Sequence, residues 1–76
     1  MIVGLLTIEL HIPASHSLKE KRMVLRGVKD RIKKFNVSIA EIEHHDLWQR
    51  AALGVVTIAT TQAHADRELA AVADEI

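Results

Sequence analysis

The sequence predicts a small α+β domain with three strands and two helices in the order β-α-β-β-α. Three apolar runs, of which the second along the chain is the shortest, have the composition and spacing of strands. A long amphipathic segment with the spacing of a helix separates the first run from the second. A second amphipathic segment follows the last strand. This order is the split βαβ, or ferredoxin-like, pattern without its final strand. We expect a mixed or antiparallel sheet with both helices on one face.

Residues 1–12 form the first predicted strand, because apolar residues alternate along them. One face carries Ile2, Leu6, Ile8, Leu10 and Ile12. Pro13 ends the strand, since proline cannot donate to a sheet ladder. Residues 17–35 are the clearest helix, because Ser17 and Glu20 have the spacing of a capping box. Gly27 is either a weak point of this helix or a site of close packing, and Asn36 is the expected C-terminal cap.

The second half of the chain supplies two strands and a helix. Val37–Glu43 and residues 51–61 are the strands, and residues 44–50 form a long hairpin connection between them. Thr60 or Thr61 is the expected cap of the second helix. The apolar stripe of that helix is Ala65, Leu69, Val72 and Ile76. Residues 1–76 therefore read as one domain.

The predicted topology has two consequences. The first strand should be central in this pattern, so we expect a fourth strand, C-terminal to residue 76, that would cover its free edge. The alternative is a fold with three strands. A right-handed crossover from the first strand to the second places the loop 13–17 and the hairpin 44–50 at the same end of the domain.

Composition excludes several classes of protein. The chain has no cysteine, which excludes disulfides, zinc–thiolate sites and iron–sulfur clusters. Its apolar start is too short to span a bilayer and lacks a basic leader, so we expect a cytoplasmic protein with no membrane anchor. The net charge is zero, but residues 16–36 carry +6 and the remaining residues carry −6. Such a dipole can meet a polyanion with one surface.

Four segments resemble the YlxP-like family of small bacterial proteins. They are residues 1–6 (MIVGLL), 17–22 (SLKEKR), 35–41 (FNVSIAE) and 46–51 (DLWQRA). The resemblance implies a ferredoxin-like fold without a cluster and no assigned activity. It also implies a link to RNA or the ribosome, since genes of the family often lie beside those for translation-initiation and ribosome-maturation factors. Family members usually run somewhat longer, which agrees with the expected fourth strand.

The first helix carries the main candidate site. Five basic residues, which we call the basic stripe, recur at steps of three and four: Lys19, Arg22, Arg26, Lys29 and Lys33. Such a row can follow an RNA backbone through its phosphates. The alternative is a solvated helix face, with Asp30 pairing to Lys34.

The end shared by the loop and the hairpin is the second candidate site. A helix N-terminus there attracts anions, and Lys19, Lys21 and Arg22 strengthen it, with His16 nearby. Trp48, the sole tryptophan, and Arg50 lie on the facing hairpin, where a base or a peptide side chain could stack. The alternative is that Trp48 folds back and covers the core.

Metal binding and catalysis have little support. The five histidines have no chelating spacing, so we expect no metal and no cofactor. The loop 13–17 lacks the glycine and arginine that acylphosphatases, which share the fold class, place there. Ser15, His16 and Ser17 are too close in sequence to be read as a triad. We therefore expect a protein that is not an enzyme and has no small-molecule substrate.

The uncovered sheet face is the last candidate. We expect it to carry six residues: Val3, Leu5, Thr7, Leu53, Val55 and Thr57. An exposed apolar patch of this kind favours self-association. The two hypotheses are thus a non-enzymatic RNA- or ribosome-associated binding module that uses the basic helix, and a homo-oligomeric interaction domain, such as a dimer, that uses the apolar sheet face.

Overall fold

The computed structural model describes residues 1–76 and has the predicted element order. The strands are β1 (Ile2–His11), β2 (Val37–Glu43) and β3 (Arg50–Ala59), and the helices are α1 (Leu18–Ile32) and α2 (Gln62–Glu75). The three strands form an open antiparallel sheet in the order β1-β3-β2. The α+β, ferredoxin-like arrangement is thereby confirmed. Neither helix has the length and apolar character needed to cross a membrane.

The helix caps follow from local sequence. The Ser17 hydroxyl accepts from the Glu20 amide at 3.1 Å, which is one half of the capping box. The Glu20 carboxylate reaches back one residue further than in the standard motif and accepts from the His16 amide at 2.6 Å. Thr61 caps α2 in the same way, through the His64 amide. The C-terminal prediction for α1 was wrong. The helix ends at Ile32 with Lys33 as its cap, because the chain turns there to place Phe35 against the core.

Both helices pack on one face of the sheet and build a continuous core. Leu25 and Val28 of α1 pack with Ala51 and Leu53 of β3. Ile32, Val55 and Val72 form the second part of the core, where both helices meet the sheet. Gly4 on β1 allows α2 to approach closely, since a Cβ at this position would lie 2.9 Å from Leu69 Cδ1.

The structure corrects the predicted face of β3. Leu53, Val55 and Thr57 are buried under the helices and do not lie on the open face beside Val3 and Leu5. The register explains this, because Leu6 pairs with Val55 and directly opposite residues share a face. The open face of β3 consists of the residues between them: Ala52, Gly54, Val56 and Ile58.

Candidate functional site

The loop before α1 and the β2–β3 hairpin lie at the same end of the domain, as predicted. The Ile12 amide donates to the Gln49 carbonyl at 2.8 Å, which extends the β1–β3 ladder to the hairpin. The Gln49 side chain donates to the carbonyls of Pro13 and Ser15, at 3.1 and 3.4 Å. The side-chain amide of Gln49 therefore ties the loop to the hairpin.

Lys21 lies in the interior and not at the surface of this end. Its side chain is 2% exposed, and its Nζ lies 2.7 Å from Glu41 Oε2. It also donates to the His44 carbonyl. Glu41 Oε2 is itself buried and has no hydrogen-bond partner with good geometry, so the ammonium of Lys21 is its only compensation. Lys21 joins α1 to the end of β2 and is not available to an external anion.

A signal for this burial is present in the sequence. Lys21 falls between the apolar positions Leu18 and Leu25 of α1, at the same three-and-four spacing that defines the core face. Glu41 likewise follows Val37 and Ile39 at the alternate positions of β2 that face the helices. A lysine and a glutamate at core positions of neighbouring elements indicate a buried pair.

The basic stripe is exposed along its whole length. Lys19, Arg22, Arg26, Lys29 and Lys33 all face solvent, and none of them forms a salt bridge. The pairing expected between Asp30 and Lys34 does not form. Lys34 instead lies 3.3 Å from Glu75 of α2, because α1 and α2 are neighbours on the sheet. No carboxylate of the protein therefore neutralises the positive charge of the stripe.

The stripe borders a shallow groove between α1 and the edge strand β2. Arg22, Arg26 and Lys29 line it together with Leu25 and Glu41, and its volume is about 220 Å³. Because β2 is an outer strand of the sheet, nothing in the chain covers the far side of this groove. The three cations therefore converge on an open channel.

The N-terminus of α1 is a poorer anion site than the sequence predicts. The Glu20 carboxylate already accepts from the backbone beside it, and Ser17 Oγ takes one of the free helix amides. Ser15 is buried and donates to the Ser17 carbonyl, so the hydroxyl has a structural role. With Lys21 turned inward, positive charge at this end is supplied mainly by Lys19 and Arg22 of the stripe.

Trp48 does not cover the core. It is 52% exposed and lines an open recess of about 610 Å³ with five neighbours: His11, Asp46, Leu47, Gln49 and Arg50. Arg50 also pairs with Glu9 at 3.2 Å. The structure thus brings Trp48 and Arg50 together, but no residue of the basic stripe lines this recess. The predicted residues form two separate surfaces.

One cluster at the end of the open face was not predicted. Glu9 and Glu43 both pair with the small residue Ala52, one from each side, and His44 lies 3.8 and 3.9 Å from their carboxylates. Ligand atoms of these three residues lie within 4.8 Å of one another, a spacing that a metal ion would need. The two glutamates are largely exposed and Glu9 also forms an ion pair with Arg50, and exposed acidic groups of this kind are common without a metal ion. The sequence alone could not predict this cluster, because Glu9 and Glu43 lie on β1 and β2, which β3 separates in the sheet.

Comparison with known proteins gives a consistent result. Residues 3–76 match the model of the family described as "Protein of unknown function (DUF503)". The chain is also 39% identical over 69 residues to the Bacillus subtilis (strain 168) "Uncharacterized protein YlxP", an alignment that covers 90% of this chain and 75% of that protein. Both findings agree with the resemblance seen in the four sequence segments. The chain belongs to the DUF503 family, which includes YlxP-like proteins.

Proposed function

We propose that the protein is a non-enzymatic binding module that docks on RNA, free or within the ribosome, through the basic stripe of α1. The observation that carries this proposal is the row of five exposed cations without a salt bridge. From Lys19 to Lys33 the row extends about 21 Å along the helix. Cations that the protein itself does not neutralise contribute most to the affinity for a polyanion.

The distribution of charge supports a single docking side. The acidic residues of α2 lie elsewhere, and two of them contact the turn that follows α1, where Glu75 pairs with Lys34 and Glu68 accepts from the Asn36 amide. A phosphate backbone is therefore attracted to the stripe and repelled by the exposed carboxylates of α2. The groove between the stripe and β2 gives such a backbone a path along the helix.

A salt titration of RNA binding tests the proposal. Each phosphate contact adds about 0.7 to 0.9 to the slope of log affinity against log salt, so five contacts give a slope of roughly four. The double variant Arg22→Ala/Arg26→Ala should reduce that slope by about 1.4 to 1.8 and weaken binding to all sequences alike. The matched control is Arg31→Ala/Arg67→Ala, which removes the same charge from exposed positions outside the stripe.

The two variants separate a surface effect from a net-charge effect. If the control weakens binding as much as the stripe variant, the stripe has no special role. If the unmodified protein binds no RNA at low salt, the stripe is a solvated helix face and the proposal fails.

Self-association is the second candidate function, and a different observation favours it. The open face exposes large apolar side chains near one end, with Val3 at 59%, Leu5 at 67% and Ile58 at 56%. A hollow of about 340 Å³ beside Gly54 adds an apolar recess to this face. Patches of this kind mark contact surfaces in soluble proteins. Light scattering at increasing concentration tests this candidate, and a monomer at every concentration contradicts it.

A further inference from the structure

The hydrogen-bonding direction of each residue in β3 follows from the register of the sheet. The Ile12 amide donates to the Gln49 carbonyl, and this pair continues the β1–β3 ladder. Directly opposite residues of an antiparallel pair exchange hydrogen bonds at every second position, so the odd-numbered residues of β3 bond to β1. The even-numbered residues, among them Gly54 and Val56, therefore bond to β2 on the other side.

This assignment shows which backbone groups of β2 are free. Ser38 and Ala40 are the register partners of those even-numbered residues, so their amides and carbonyls point into the sheet. The backbone groups of Ile39 and Glu41 then point outward, away from β3. The Glu41 carbonyl agrees with this direction, because it accepts from Nε2 of His45 at 3.1 Å and not from β3. Three outward groups remain without a partner: the Ile39 amide, the Ile39 carbonyl and the Glu41 amide.

The free edge of β2 borders the groove of the basic stripe. Glu41 lines this groove together with Arg22 and Arg26, and its carboxylate is neutralised by the buried ammonium of Lys21. Ile39 lies two residues, or about 7 Å, further along the edge. Because α1 runs back between the parallel strands β1 and β2, the later residues of the stripe continue beside it. A chain in the groove therefore meets cations on one side and free backbone groups on the other.

We infer that the groove holds the sugar–phosphate backbone of one RNA strand and selects RNA over DNA at the Ile39 carbonyl. The cations and the two amides donate to phosphate oxygens, which both nucleic acids have. The carbonyl can only accept, and the 2′-hydroxyl is the one donor in a sugar–phosphate backbone. A DNA strand in the same place would remove water from this carbonyl without replacing the hydrogen bond. The inference rests on the proposed function and names the sugar that the site takes.

An added peptide strand fits this edge less well than RNA does. Strand addition relies on a row of main-chain hydrogen bonds, whereas only three free groups are present here. The register shift between Glu41 and Glu43 interrupts the row, and the ring of His45 occupies the Glu41 carbonyl. The expected fourth strand does not change this edge, since it would pair with β1 on the opposite side of the sheet.

Three strands of the same sequence test the inference by fluorescence anisotropy: oligouridine RNA, its 2′-fluoro analogue and the oligodeoxyuridine, each about 12 nucleotides long. The 2′-fluoro strand keeps the shape of the ribose and lacks the hydroxyl donor. The RNA should bind about tenfold more tightly than either other strand, the ratio expected for one hydrogen bond to a group withdrawn from water. Arg22→Ala/Arg26→Ala should weaken all three strands by the same factor, because these arginines contact phosphates.

Nuclear magnetic resonance of the unmodified protein locates the contact. The amide signals of Ile39 and Glu41 should shift when the RNA is added, and those of Ser38 and Ala40, which point into the sheet, are the matched controls. The inference alone is overturned if the RNA binds no more tightly than the 2′-fluoro strand, if the Ile39 and Glu41 signals stay unchanged, or if a glutamate peptide of equal charge binds as tightly as the RNA. Absence of RNA binding at low salt overturns the proposed function as well.

Discussion

Helix α1 carries two kinds of basic residue with opposite surroundings. Lys21 is buried against Glu41 and the His44 carbonyl, whereas the five residues of the basic stripe are exposed and unpaired. The difference is set by position around the helix, since Lys21 lies on the core side and the stripe lies on its flank. Residue type alone therefore does not define a binding surface. One lysine maintains the fold, and its neighbours are free to bind.

The largest expected effect comes from the buried lysine. Lys21→Met leaves the Glu41 carboxylate without its counter-charge and should lower the free energy of unfolding by about 3 to 5 kcal/mol. The total for a 76-residue domain is only about 4 to 11 kcal/mol. Urea denaturation followed by circular dichroism measures the loss. Lys21→Met/Glu41→Leu should recover most of it, since an apolar pair needs no counter-charge. If the single variant is as stable as the native chain, the ion pair does not hold α1 to β2.

Trp48 distinguishes stacking from phosphate contact. Trp48→Ala should weaken RNA binding by about 1 to 3 kcal/mol and leave the salt slope unchanged, because stacking releases no counterions. Fluorescence anisotropy at several salt concentrations measures both quantities. Because Trp48 lies outside the groove of the stripe, its effect should add to that of Arg22→Ala/Arg26→Ala. An unchanged affinity would show that the recess beside Trp48 does not bind bases.

Two glycines, one at an exposed position of α1 and one where α2 packs on β1, should respond to alanine substitution in opposite ways. Nothing lies within 4 Å of a Cβ placed at Gly27, so Gly27→Ala should raise the free energy of unfolding by about 0.5 to 1 kcal/mol through helix propensity. Gly4→Ala is the opposite case, because its Cβ meets Leu69, and it should destabilise by about 1 to 3 kcal/mol. Thermal denaturation compares the two. Equal effects would contradict the assigned packing of α2 on β1.

The smallest expected effect is that of the stripe on stability. Arg22→Ala and Arg26→Ala should each change the free energy of unfolding by no more than about 0.5 kcal/mol, since neither side chain is buried or paired. Urea denaturation of each single variant gives this number. A loss of several kcal/mol would mean that the stripe contributes to the fold as Lys21 does.

The sequence by itself determined the elements and their order. The bounds of β2, the Ser17 cap of α1 and the Thr61 cap of α2 agree with the structure, because these features depend on residues a few positions apart. The common end of the loop and the hairpin also followed from sequence, through the handedness of the crossover.

Only the tertiary structure decided which side each residue faces. In β3 both alternating sets of residues are largely apolar, so the pattern could not show that Leu53 and Val55 are inside. The pairing of Lys21 with Glu41, and the convergence of Glu9 with Glu43 across Ala52, join residues that are far apart in sequence. Strand register and helix packing bring such residues together, and both are properties of the assembled sheet rather than of any local segment.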